Sequence, residues 1–164
     1  MSVIDTLIID RTQDDVDRIK YLKGQYNSGE ITADEIAEWN AGLKGAYKAS
    51  DLNRVGEACA YLYDIFTNNG YLVPGYVALG TSWTEADKPT VADFNQYIST
   101  ILAIKAMLPV VQEVPDSMSR LNFEGANNIE KMLIEVDELL YNIISIFIYS
   151  GTVYSGMIWS QIGG

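Results

Sequence analysis

The stretch Asn122-Phe123-Glu124-Gly125-Ala126-Asn127-Asn128-Ile129-Glu130-Lys131-Met132-Leu133-Ile134-Glu135-Val136-Asp137-Glu138-Leu139-Leu140-Tyr141-Asn142-Ile143-Ile144-Ser145-Ile146-Phe147 decides the fold class. Within it Ala126, Ile129, Leu133, Val136, Leu140, Ile143 and Phe147 recur in alternating steps of three and four. That is a heptad seam, and it predicts a long helix in a bundle or coiled coil. Leu139, Ile144 and Ile148 widen the stripe towards the carboxyl end, so the helix needs cover on several sides. Tyr149-Ser150-Gly151 is expected to end it. Beyond, Val153, Met157 and Trp159 alternate with Tyr154, Ile158 and Ile162, which predicts an extended tail over residues 150–164.

Working back from this helix, the starts of others are legible. Thr12-Gln13-Asp14-Asp15 and Thr32-Ala33-Asp34-Glu35 have the form of capping boxes, a hydroxyl at the cap and a carboxylate three residues on. The first is followed by Val16, Ile19, Leu22 and Tyr26 at helical spacing and stops at Asn27-Ser28-Gly29. The second carries Ile36, Trp39 and Leu43, with Gly42 and Gly45 keeping it short. Ser50-Asp51 opens a third helix through Leu52, Val55, Cys59, Leu62 and Phe66, closed by Asn68-Asn69-Gly70. Pro89-Thr90-Val91-Ala92-Asp93 opens a fourth, with Tyr97, Ile98 and Ile101. Tyr71–Lys88 changes character and is expected to be an extended connection or short strand around Tyr76, ending in a loop at Trp83. Val3–Ile9 is β-branched and apolar and predicts a strand. The expected fold is therefore mainly α, about five helices in one bundle-like domain spanning residues 1–164, with short β-strands at the termini.

Apolar residues make up 48% of the 164 and charged residues 20%, a globular composition. A net charge of −11, with a pI near 4.2, repels phosphate backbones and anionic membranes, so no nucleic-acid partner is expected. There is no histidine, and Cys59 stands alone. An intrachain disulfide, a Cys/His zinc site and a Ser-His or Cys-His catalytic pair are thereby excluded. Met1–Asp5 has no basic segment and no long apolar run, and is not expected to be a signal peptide. From Leu139 to Gly164 the chain carries no charged side chain, but polar residues break the run too often for a membrane span.

Candidate chemistry is sparse. Asp14, Asp15 and Asp17 fall on a first helical turn, where carboxylates stabilise the positive end of the dipole, and they lack the alternate-position spacing of a calcium loop. No phosphate-binding glycine loop occurs, and no motif sets two carboxylates across a cleft. No catalytic residue, metal or cofactor is expected. An uncharged tail rich in Tyr, Ile, Trp and Met has the composition of an interface core, which makes Val153, Tyr154, Met157, Ile158, Trp159 and Ile162 candidate docking residues. Trp83 and Tyr76 are candidate ligand contacts in the central loop.

Several of these stretches also carry a resemblance. Asp10-Arg11-Thr12-Gln13 with Asp15-Val16, Glu38-Trp39, Leu43-Lys44-Gly45-Ala46-Tyr47 and Asp51-Leu52-Asn53-Arg54-Val55 come first. Trp83-Thr84 with Asp87 and Pro89-Thr90, then Asn122-Phe123, Ala126-Asn127, Ile129-Glu130-Lys131, Val136-Asp137 and Leu139-Leu140, continue it, and Tyr149-Ser150-Gly151 and Tyr154-Ser155-Gly156 complete it. Together they resemble a family of proteins encoded by phages and prophages of Clostridia and related bacteria, over nearly the whole chain. The resemblance implies a tail- or baseplate-type structural protein of the virion, made in the bacterial host cytoplasm, with no catalytic residue or ligand. Its ending, Met157-Ile158-Trp159-Ser160-Gln161-Ile162, departs from the acidic ending of such relatives. The expected function is a non-enzymatic, multi-copy or homo-oligomeric component of a phage tail, docking on other virion proteins through residues 150–164. The alternative is a receptor- or glycan-binding module at a fibre tip.

Overall fold

A computed structural model of the protein describes residues 2–161, and the side-chain surroundings of residues up to 146. Five helices follow one another: α1 (Gln13–Ser28), α2 (Ala33–Ala41), α3 (Ala49–Asn68), α4 (Val91–Lys105) and α5 (Phe123–Gln161). Among the described residues there is no β-strand.

The helix starts obey local chemistry. Thr12, Thr32 and Thr90 each accept a hydrogen bond from the backbone N–H three residues on, and Asp15, Glu35 and Asp93 reach back to the cap N–H. Each box satisfies two donors that the helix leaves without partners. α3 begins one residue before the expected Ser50, and Asp51 serves as the returning carboxylate, accepting from the Lys48 N–H at 2.9 Å. At the other ends, Gly29 and Gly70 stand at φ 75 and 83, the left-handed conformation that lets Glu30 and Tyr71 donate back to the final turns of α1 and α3.

Three helices make the core. Val55, Cys59, Leu62 and Phe66 of α3 meet Ile98, Ile101 and Ile104 of α4, and both pack on Ile129, Met132, Leu133, Val136 and Leu140 of α5. The heptad positions Ala126 through Leu140 are all buried, so this part of the seam is satisfied inside one molecule. Burying each such side chain contributes about 1.5–3 kcal/mol. α1 and α2 stand apart: α1 buries Leu22 alone, and α2 buries nothing. The turn between α2 and α3 comes so close to α1 that a Cβ on Gly45 would lie 2.2 Å from the Asp15 carbonyl oxygen.

The expected strand at Val3–Ile9 is instead a 3-10 turn, Val3–Thr6, followed by extended chain. Its cause is one more box: Ser2 accepts from the Ile4 N–H, and Asp5 takes the Ser2 N–H at 2.8 Å. The Tyr71–Lys88 segment is an extended connection without strand pairing, running back along α3. Two of its carbonyls are met by side chains: Thr100 donates to Val77 at 2.9 Å and Asn53 to Trp83 at 2.9 Å. Gly56 makes the close approach possible, since a Cβ there would meet the Thr81 methyl at 3.1 Å. The expected extended tail is also corrected, because α5 continues as helix past Tyr149-Ser150-Gly151 to Gln161. A helix already nucleated on a core adds residues at little cost, which outweighs the weak propensity of Gly151 and Gly156.

Candidate functional site

Helix packing first fixes a group of buried charges. Glu130 is fully buried on the inner side of α5, and Asp51 is buried in the first turn of α3. The extended chain after the amino-terminal turn brings Arg11 between them: its Nη2 lies 2.9 Å from Asp51 Oδ1 and 2.7 Å from Glu130 Oε1. Arg54 donates to Glu130 from Nε at 3.0 Å and from Nη2 at 2.9 Å. Burial opposes the charge on Arg54, and the bonds from Glu130 and Asp51 outweigh it, so its pKa lies above the ordinary arginine value. Ile8 donates its N–H to Glu130 at 2.6 Å, and Asn127 exchanges two hydrogen bonds with the Arg11 backbone. Two cations face two anions with no reacting group between them. The arrangement clamps residues 8–11 onto α3 and α5, and this is positioning chemistry.

The two aromatic candidates of the central connection lie at different places on α3. Tyr76 stacks on Tyr63, ring centroids 4.0 Å apart, and burial pushes its hydroxyl up to about 12. Trp83 is held at Asn53, which accepts the Trp83 N–H at 2.8 Å. Ten residues separate Asn53 from Tyr63 on one helix, about 15 Å. Tyr76 and Trp83 therefore do not share a site. Trp83 does line a cleft of about 370 Å³ with Tyr47 and Phe94, whose rim carries Lys48, Glu85 and Asp87. Asp87 is already engaged by the Thr84 N–H and hydroxyl, which hold its carboxyl below the usual range.

A larger and more apolar cleft, about 680 Å³, opens between α1 and α2. Ile19 and Tyr26 of α1 form one wall, Ile36 and Trp39 of α2 the other, with Ile31 at the turn and Lys23 the single charge in its lining. Arg18 and Glu38 pair across the hairpin at 2.6 Å, and each half-exposed side chain holds the other in its ionised form. Tyr26, Ile36 and Trp39 remain 71%, 44% and 45% exposed. A second cavity, about 460 Å³, lies against Trp39 and reaches Leu43 and Ala46. The short helix α2 is thus poorly filled on two sides of its tryptophan.

At the far end of the molecule, α5 leaves the core. Ile144 is the furthest described side chain packed on it, while Tyr141 and Ile146 stand 71% and 67% exposed. The proposed docking side chains Val153, Tyr154, Met157, Ile158, Trp159 and Ile162 lie outside the described residues. Among the described residues no helix is long and apolar enough to cross a membrane.

Two of the three acids of α1 are engaged locally: Asp15 caps Thr12, and Asp17 accepts from Gln13 and Lys20. Cys59 is fully buried, and burial alone pushes its thiol up to about 12, so it stays protonated. Sequence reasoning missed both the charge clamp and the α1–α2 cleft. Glu130 could have been found, since a carboxylate one turn from Ala126 and from Leu133 sits on the apolar face and requires a buried partner. Set beside known proteins, the chain is matched by no family model, no curated protein and no solved structure.

Proposed function

We propose that the chain is a non-catalytic structural subunit of a phage tail or tail-like particle, present in several copies and docking on its neighbours through the carboxyl half of α5. The observation carrying the docking element is the exit of α5 from the core: Tyr141 and Ile146 stand exposed on a helix that runs on to Gln161, in a stretch without charge. Apolar surface of this kind is stabilised by association at about 25 cal/mol per Å² covered. The particle itself rests on the resemblance to phage-encoded tail and baseplate proteins. A buried charge group balanced two against two, which clamps the chain together, fits the role of a building block.

Deleting Thr152–Gly164 tests this reading. The truncated chain is expected to keep its helical circular dichroism and to disappear from assembled particles. Incorporation at the level of the full chain overturns it.

One observation favours a second reading, a glycan- or receptor-binding module. Trp83, Tyr47 and Phe94 bring three aromatic side chains to one open cleft with carboxylates at its rim. On this reading Trp83→Ala is expected to lower adsorption to the host cell wall and leave assembly intact, and unchanged adsorption removes the reading.

A further inference from the structure

The walls of the α1–α2 cleft and the exposed Tyr141 and Ile146 of α5 are apolar surfaces that the fold leaves uncovered, and they lie far apart on the molecule. Val16 and Lys20 of α1 share a small cavity with Phe123 and Ala126, so α1 sits beside the amino end of α5. Tyr141 comes eighteen residues after Phe123, about 27 Å along the helix, and Gln161 comes about 57 Å along it. A continuous helix cannot return its carboxyl end to the cleft beside its amino end. A second copy can supply it.

Charge selects the same occupant. All 22 acids and 11 bases precede Leu139, so the whole net charge of −11 belongs to the body and the segment from Leu139 onward is neutral. Two bodies repel each other, and the segment that can approach a neighbour without a charge penalty is this one. The cleft suits it, with Ile19, Ile36, Trp39 and Tyr26 as walls and only Lys23 charged. An apolar helix in an apolar groove is an established mode of recognition.

We infer that the carboxyl half of α5 of one copy lies in the α1–α2 cleft of the next, a head-to-tail contact. It rests on the docking role assigned above to α5. Because cleft and helix end are different surfaces, the contact leaves one of each free and generates a ring or an open chain of subunits, not a symmetric dimer. It also explains a nine-residue helix that buries nothing of its own: α2 is completed by its neighbour.

Light scattering on full-length Trp39→Glu and Ile146→Glu variants decides it. The unmodified chain is expected to be larger than a dimer, and each variant alone a monomer. Their equimolar mixture is expected to stop at a dimer, because only one intact cleft and one intact helix end remain between them. Ile36→Glu serves as the second cleft variant, with circular dichroism matched to the parent. Hydrogen exchange on the unmodified chain provides a reading without mutation: amides of α2 and of residues 141–161 slow together as concentration rises. A monomeric parent, cleft variants that assemble like the parent, a mixture of any other size, or protection of only one of the two segments overturns the inference. Loss of assembly in Ile146→Glu with the cleft variants unaffected removes the cleft as receptor and leaves the docking role of α5 standing. That role falls separately, if the chain cut before Thr152 still enters particles.

Discussion

Glu130 has no exposed surface, yet it accepts from the Ile8 N–H and from two arginines that come from separate parts of the chain. Removing its charge leaves two guanidinium groups sharing the single carboxylate of Asp51 in or near the interior, and a buried charge that loses a partner is more costly than the pair was favourable. Glu130→Gln is expected to lower unfolding stability by about 3–5 kcal/mol in urea titrations, with the amino-terminal segment released first. Asp137, about two turns further along α5, behaves oppositely. Burial raises its pKa, with Glu138 and Asp5 adding to the rise and the Tyr61 hydroxyl drawing it back. A folded-state pKa above the unfolded one contributes stability only while the group is protonated, and that contribution is lost as pH rises through the folded value. At neutral pH the charged carboxylate is therefore a burden, and Asp137→Asn should raise Tm at pH 7 while leaving it unchanged near pH 3, where both side chains are neutral. A Tm that falls at pH 7 contradicts the assignment. Residues of this kind were half legible. The spacing of Glu130 from Ala126 and Leu133 marks a buried carboxylate, but its partner Arg11 is 119 residues away, and no local periodicity reports a contact at that range.

At the scale of the element, the capping boxes were the most readable feature, because each lies within four residues and depends on nothing distant. Thr12, Thr32 and Thr90 are all found at their caps. The same rule applied to Ser2 and Asp5 would have predicted the 3-10 turn where β-branched content suggested a strand. The extended tail was misread for a different reason: alternation over ten residues resembles a strand, whereas continuation of α5 is decided by the core that nucleates it upstream. The caps carry their own prediction. In α2 the box is most of what holds the helix, since that element buries no side chain. Thr32→Ala should cost about 1 kcal/mol. The loss is expected to appear locally, as faster amide exchange in residues 33–41 and a red shift of Trp39 emission, with α3–α5 unaffected. A uniform loss across all helices would mean that α2 is coupled to the core after all. Backbone and hydroxyl bonds hold Asp15, Glu35 and Asp93 below their usual pKa, so these caps weaken as pH falls through those lowered values.

For the molecule as a whole, two opposing terms govern association: the repulsion between acidic bodies and the apolar surfaces at each end. Their balance has a sign that can be measured. If complementary charges drove the contact, added salt would weaken it. Here the interacting surfaces carry a single lysine between them, while the bodies carry −11 each, so salt screens only the repulsion. Raising ionic strength from about 0.05 M to 0.5 M shortens the screening length from roughly 14 Å to 4 Å and removes most of the long-range repulsion. Self-association is accordingly expected to strengthen, by about ten-fold or more in Kd if as little as 1.4 kcal/mol of repulsion is relieved. Sedimentation across that range checks it. Weaker association in salt would assign the contact to ion pairs between the charged bodies, and the apolar ends would then have no part in it.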